Sequence, residues 1–369
     1  MKPKILFIMH MPPPVHGAAM MGKYIHDSKL INETFNCSYI NPSASLNVKE
    51  VGKMNLGKII FFFKNTFNII YTAIKEKPNL CYYTPTSDGW GIYRDMIVIG
   101  LLKLFKKKII LHLHNKGVKN YNKKHPLSTI AYKTIFSNTK VIQLSEYLYE
   151  DIEKFVSKTN VFICPNGIPE TLAIEPSVIR TNSVPKLLFL SNLLIDKGVF
   201  TLLDACKILK DKGYKFSCDF VGGETSDINA ELFNKEVQIR ELIGVAEYKG
   251  KKYGIEKDYF FKNADIFVFP TFYKGETFGL VNLEAMEYKI PIVSTNEGGI
   301  PDIIKDGENG FICTKKDSYS LATCIEKLLL DKNLRYKMGE NGYKKFKSYY
   351  TLSTFETNIK SILIQCINS

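Results

Sequence analysis

The chain has 369 residues, 45% of them hydrophobic, with 24 Gly and 15 Pro. That is enough apolar material for about two ordinary domains, and it excludes a disordered or low-complexity polymer. The formal charge is +13 and unevenly placed: residues 1–180 carry 24 Lys/Arg against 12 Asp/Glu, residues 181–369 carry 26 against 25.

Residues 96–145 hold ten lysines and no acid. So basic a stretch points to an anionic partner: phospholipid, nucleic acid or a phosphorylated substrate. Lysine is abundant along the whole chain, which accounts for part of this but not for acids missing from one half. Eight cysteines at 37, 81, 164, 206, 218, 313, 324 and 366 form no CxxC pair and no zinc spacing. Reduced, buried thiols of a cytoplasmic protein are the expectation.

The opening "MKPKILFIMHMPPP" has a short apolar run followed by prolines, and reads as a first strand rather than a signal peptide. Strands follow at 37–40, 80–84, 108–114, 140–145 and 161–165, with helical periodicity at 57–75, 91–105 and 146–156. The proline-rich, aperiodic stretch at 168–185 reads as a linker. The alternation restarts with strands at 186–191, 216–222, 245–250, 265–270, 290–295 and 310–314. Helices fall at about 198–212, 228–241, 279–288 and 317–330, and two more close the chain. The expectation is an α/β protein of two Rossmann-like doubly wound domains, 1–167 and 186–348, facing across a cleft. Residues 349–369 are expected to pack as a helix back on the first domain. The segment "IIFFFKNTFNIIYTAI" is interrupted by Lys64 and Asn65 and falls short of a membrane span.

The motifs concentrate in the second half. In order they are "LFLSNLLIDKGVFTLLDA" (188–205), "DFVGG" (219–223), "FVFPTFYKGETFGLVNLEAM" (267–286), "PIVSTNEGGIPDII" (291–304) and "DGENGFI" (306–312). Glu276 and Glu284, with seven residues between them, flank a strand-to-helix junction, where phosphates and sugars bind in such sheets. The series resembles the nucleotide-sugar-binding domain of the retaining glycosyltransferases of family four, which have the GT-B fold. The resemblance continues more weakly through "PPPVHGAAM", "LHLHNKG", "VIQLSEYL" and "PNGIP".

The resemblance implies roles. Glu284 would accept hydrogen bonds from the ribose hydroxyls and Glu276 would hold the transferred sugar; ionised carboxylates are acceptors only and suit paired hydroxyls. Thr277, Phe278, Gly279 and Leu280 would bring backbone N–H groups at a helix start to the diphosphate. Lys197 of "IDKG" would stabilise charge on the leaving group. Asn192 is a departure, because many relatives carry Gly-Arg where this chain has Ser191-Asn192. Phosphate charge then falls to Lys197 and backbone amides, or to another cation such as Arg94. In the first half, His16 and Gly17 form either a phosphate cradle or a simple turn. His114 is favoured over His112 for reaching the donor sugar, with a core histidine as the rival. Arg94 and Asp95 in "GWGIYRD" either bind an acceptor phosphate or form a structural cap.

The implied activity moves a sugar from a nucleotide diphosphate sugar, UDP being the family's commonest nucleotide, to a hydroxyl of a glycan or lipid-linked glycan. Anomeric configuration would be retained, without a protein nucleophile. No cofactor or metal is expected. The basic half suggests a polyprenyl-diphosphate-linked acceptor and a peripheral place on an anionic, cytoplasmic membrane face, for surface polysaccharide assembly. For the helix at 57–75, an ordinary buried amphipathic helix is the rival to membrane contact. A nucleotide-sugar epimerase or hydrolase on the same fold is the alternative activity. A nucleic-acid-binding protein rests on charge alone and lacks a stacking motif, so no specific nucleic acid is expected.

Overall fold

The computed structural model describes residues 2–13, 16–42, 56–171 and 182–369. Most of the expected linker, residues 172–181, lies outside the described residues. The chain forms two compact units, Met1–Asn166 with Leu352–Ser369, and Gly167–Thr351.

The first unit is built on strands β1 (Lys4–Ile8), β2 (Asn36–Ile40), β3 (Leu80–Tyr83), β4 (Ile109–His112), β5 (Lys140–Gln143) and β6 (Val161–Ile163). They pair in parallel in the order β2-β1-β3-β4-β5-β6. β3 and β4 are buried along their whole length, as parallel strands covered on both faces must be. The second unit holds β7 (Lys186–Leu190), β8 (Ser217–Val221), β9 (Ala246–Tyr248), β10 (Ile266–Phe269), β11 (Ile292–Thr295) and β12 (Gly310–Cys313). These are also parallel, in the order β12-β11-β10-β7-β8-β9. In each sheet the strand order reverses once, beside β1 in the first and between β7 and β10 in the second. At such a switch point the connecting loops diverge and leave a crevice at the carboxyl ends of the strands.

Two sequence expectations need correction. The stretch 146–156 is not an α-helix but a 3-10 turn, Glu146–Asp151, followed by further turns. Its bonds run from one residue to the third before it, as in Ile152 N–H to the Tyr149 carbonyl at 3.0 Å. The Asp151 carboxylate is drawn away to accept from the backbone N–H groups of Gly117, Val118 and Lys119. The strand expected at 108–114 ends at His112, so His114 sits in the loop beyond it.

The helix Leu352–Asn368 follows the second unit in sequence but belongs to the first. It buries Phe355, Ile359, Ile362, Leu363 and Cys366 and packs on the helix Lys29–Thr34 and on β3. Lys108 Nζ donates to the carbonyl of Ile367 at 3.1 Å.

Candidate active site

In the second unit the loops after β7 and β10 meet at the switch point. After β7 the chain makes a 3-10 turn, Ile195–Lys197, and Gly198 starts the next helix with φ of 85°. After β10 it runs through residues 270–279 into the helix Leu280–Glu287. Phe272 N–H donates to the Asp196 carbonyl at 2.8 Å and ties the two loops.

That tie places Lys197 against Glu276, with Nζ 2.5 Å from Oε2. The two side chains keep 15% and 11% of their exposure, so the pair is mostly withdrawn from water without being sealed. The ammonium also lies 4.7 Å from the ring centre of Tyr273 and 5.3 Å from that of Phe269. Aromatic faces attract a cation without consuming its charge. Lys197 is thus held in one place by a carboxylate and two rings.

The helix that follows starts at Gly279, with φ of 69° and no side-chain cap. Its first backbone N–H groups point out of the helix with the positive end of the dipole behind them. Phe278 contributes backbone only; its ring is buried edge-on to Tyr350. A brace from the loop after β11 fixes the approach. Gly299 N–H donates to the Thr277 carbonyl at 2.7 Å, and a Cβ on Gly298 would lie 2.3 Å from the carbonyl oxygen of Glu276.

Glu284 lies one turn into the helix. Its Oε1 is 2.9 Å from Lys257 Nζ, and its Oε2 is buried with no hydrogen-bond partner among the described residues. A buried acceptor without a donor is costly and invites a hydroxyl. Asn192 is engaged structurally: its Oδ1 accepts from Gly223 N–H at 3.3 Å, linking the chain after β7 to the glycine pair after β8.

The remaining candidates gather at the carboxyl edge of the first unit's sheet. Gly17 opens the helix Gly17–Asp27, and His16 caps it, its Nδ1 accepting from Ala19 N–H at 3.3 Å. His112 is fully buried, its Nδ1 2.5 Å from the Tyr82 hydroxyl, and its ring centre lies 4.0 Å from that of His114, the two planes tilted by 36°. Burial, then the neighbouring His10 and His16, takes His114 down to about 3, so the ring is neutral at physiological pH. Arg94 binds its neighbour Asp95, which is fully buried and also accepts from Tyr83 Oη and from Thr86 N–H and Oγ1. Asp95 is therefore unavailable to a ligand, whereas Arg94 remains partly exposed. The predicted residues thus form two groups, one on each unit.

Residues 174–345 match the family of glycosyl transferases group 1. The capsular polysaccharide biosynthesis glycosyltransferase CapM of Staphylococcus aureus is 28% identical over 317 residues, which is 81% of this chain and 80% of CapM. The protein is a glycosyltransferase with a group 1 domain over residues 174–345. A solved glycosyltransferase of Rickettsia africae superposes with a TM-score of 0.77 at 17% identity, over 99% of both chains. HepE of Anabaena, in complex with UDP, superposes with a TM-score of 0.72 at 16% identity, over 99% of this chain and 100% of its own. The fold is therefore GT-B, with two Rossmann-like units.

Three contributors to this glycosyltransferase's site escape sequence reading. Lys257 sits on a helix, Gly254–Asn263, whose only buried residue is Phe261, so its apolar period is too thin to announce it. Tyr273 acts through its ring face against Lys197 and belongs to no spacing pattern. His10 lies two residues beyond β1 and reads as a strand end. The Gly298-Gly299 pair was visible in sequence, but its work as a brace on residues 276 and 277 was not.

Proposed function

We propose that this glycosyltransferase moves a sugar from a nucleotide diphosphate sugar to a hydroxyl of a glycan or lipid-linked glycan, with retention, in surface polysaccharide assembly. The observation that carries the proposal is the Lys197–Glu276 pair at the foot of an uncapped helix start. Breaking a sugar–diphosphate bond leaves negative charge on the diphosphate. A cation and N–H groups fixed before the reaction stabilise that charge without reorganising. Lys197 and the amides around Gly279 supply both, and the reading calls for no metal. Glu276, already turned toward Lys197, accepts from the sugar hydroxyls and keeps the cation in place. Glu284 Oε2, buried without a donor among the described residues, takes a ribose hydroxyl.

A uridine nucleotide is favoured by HepE, solved with UDP and with UDP-glucose. The polysaccharide acceptor is favoured by the name of CapM. We place the enzyme peripherally on the cytoplasmic membrane face. No helix among the described residues is long and apolar enough to cross a membrane. The helix Leu56–Glu76, however, exposes Phe63 and Phe67 at 65% and 74%.

A thermal-shift screen over nucleotide sugars tests the donor. At a hundred times its dissociation constant a ligand adds about 2.7 kcal/mol to stability. The expected result is a clear shift with one nucleotide series, lost in Glu284→Gln. A flat response to every nucleotide sugar overturns the proposal. Donor consumed as fast without acceptor as with it would point instead to a hydrolase or epimerase.

A further inference from the structure

The first unit carries a fixed guanidinium that the donor chemistry above does not use. Arg94 stands in the first turn of the helix Gly91–Leu104, beside the loop that leaves β3. Its Nε donates to Asp95 Oδ1 at 2.9 Å and its Nη2 to Thr86 Oγ1 at 3.3 Å. Asp95 is in turn locked by the Tyr83 hydroxyl at 2.8 Å and Thr86 N–H at 2.7 Å. The guanidinium is therefore oriented from behind by a buried network. Among the described residues no protein group accepts from Nη1, and 29% of the side chain is exposed.

Two neutral imidazoles stand nearby. His10 follows β1, and its backbone N–H donates to Thr84 Oγ1 at 3.3 Å, so β1 and β3 end side by side. Burial first, and then the Arg94 charge, takes the His10 imidazole down to about 4. His16 lies 6.3 Å from His10 between ring centres. Its Nδ1 already accepts from Ala19 N–H, so in the neutral ring the proton is on Nε2, which is a donor. The two rings are brought together by Gly22, where a Cβ would lie 2.0 Å from the His10 carbonyl oxygen. Only a bare glycine lets the His16 helix press that closely on the end of β1.

We propose that Arg94, His10 and His16 form a binding site for a phosphoryl group carried by the acceptor, at the switch point of the first unit's sheet. A guanidinium fork suits phosphate oxygens, and neutral imidazoles add N–H donors without repelling one another. The excess of positive charge in the first half of the sequence, 24 Lys/Arg against 12 Asp/Glu in residues 1–180, favours the approach of such an anion. This inference rests on the reading that the acceptor is phosphate-linked. The same phosphoryl chemistry also occurs in the donor's diphosphate, so the experiment separates the two sources.

The full chain is saturated with UDP and titrated with inorganic phosphate, with the histidine ring signals followed by NMR. The site predicts that phosphate still binds, that the His10 and His16 signals move, and that the apparent pKa of His10 rises from about 4. Arg94→Gln is expected to weaken phosphate at least tenfold. Arg94→Lys, which loses the fork but keeps the charge, should fall between. Arg94→Gln strands the buried Asp95, so a paired Arg94→Gln, Asp95→Asn variant and His16→Ala provide folded alternatives. Phosphate binding equally well to the paired variant and to His16→Ala overturns the site. Phosphate displaced by UDP assigns the anion to the donor and overturns the acceptor assignment. Failure of UDP to bind at all would count against the donor reading alone, and the phosphate titration would still decide this one.

Discussion

A cation and a carboxylate 2.5 Å apart, both nearly withdrawn from water, admit two explanations, and they separate on mutation. If Lys197 and Glu276 were only a structural ion pair, breaking either half would cost stability of about 3–5 kcal/mol, and neutralising both would restore much of it. If Lys197 meets the leaving diphosphate, Lys197→Met should lower kcat by roughly a hundred- to a thousandfold, as loss of one fixed charge stabiliser does. Glu276→Gln should lower it as well, and the double variant should recover stability but not turnover. Recovered activity in the double variant would sink the catalytic role. The histidines make a second residue-scale case. The unfolded chain takes up a proton on each near the ordinary imidazole value of 6.5, whereas folded His10 does so only near 4 and folded His114 near 3. Below about pH 6.5 the unfolded state therefore binds more protons than the folded state, and stability falls as the pH drops toward 4. Urea unfolding at pH 7 and pH 4.5 should show the double variant His10→Asn, His114→Asn losing about 5 kcal/mol less than the parent over that interval. An identical loss in both would remove the claim that these rings are held neutral by the fold.

Elements were legible where their apolar period was strong. Each of the twelve strands among the described residues overlaps the stretch expected for it, and the central ones, such as β3 and β4, are short and apolar throughout because both their faces are covered. The helices Val118–Lys124 and Ser128–Phe136 were not legible: Pro126 interrupts the stretch, and lysines dilute the first. The junction Glu276–Glu284 was legible by resemblance, yet the brace from Gly298 and the ring of Tyr273 depend on distant segments meeting, which no local pattern encodes. The helix Leu56–Glu76 shows the limit in the other direction. Its periodicity fits a buried amphipathic helix, and it does bury Thr66, Ile69 and Ala73. It also exposes Ile60, Phe63, Phe67, Tyr71 and Ile74, at spacings of three and four that keep them on a second apolar face. Lys64 and Lys75 stand exposed beside them. Against an anionic bilayer each such lysine adds about 1 kcal/mol, and each aromatic fully buried adds about 1.5–3 kcal/mol. Phe63→Ser with Phe67→Ser should therefore lower binding to phosphatidylglycerol vesicles at least tenfold in a co-sedimentation assay at low salt. Parent and variant pelleting alike would rule out this face as the contact.

At the scale of the whole molecule, the chain leaves the first unit at Asn166 and returns to it at Leu352. The first sheet's unit is therefore incomplete until the last residues are made. Five apolar side chains of the helix Leu352–Asn368 are buried against this unit. At about 1.5–3 kcal/mol each, their burial is comparable with the whole 5–15 kcal/mol that stabilises a typical domain. The second unit, Gly167–Thr351, has its own sheet. Ending the chain after Thr351 should consequently unfold or strongly destabilise the first unit while leaving the second intact. The truncated chain is then expected to keep nucleotide binding, since Lys197, Glu276 and Glu284 all lie within the second unit, and to lose transfer to any acceptor. Hydrogen exchange resolved by peptide reads the two units separately. Protection lost across β1–β5 but retained across β7–β12 is the expected pattern. Equal loss in both units would mean that the terminal helix supports the fold as a whole, and full protection in the first would mean that its buried face contributes little.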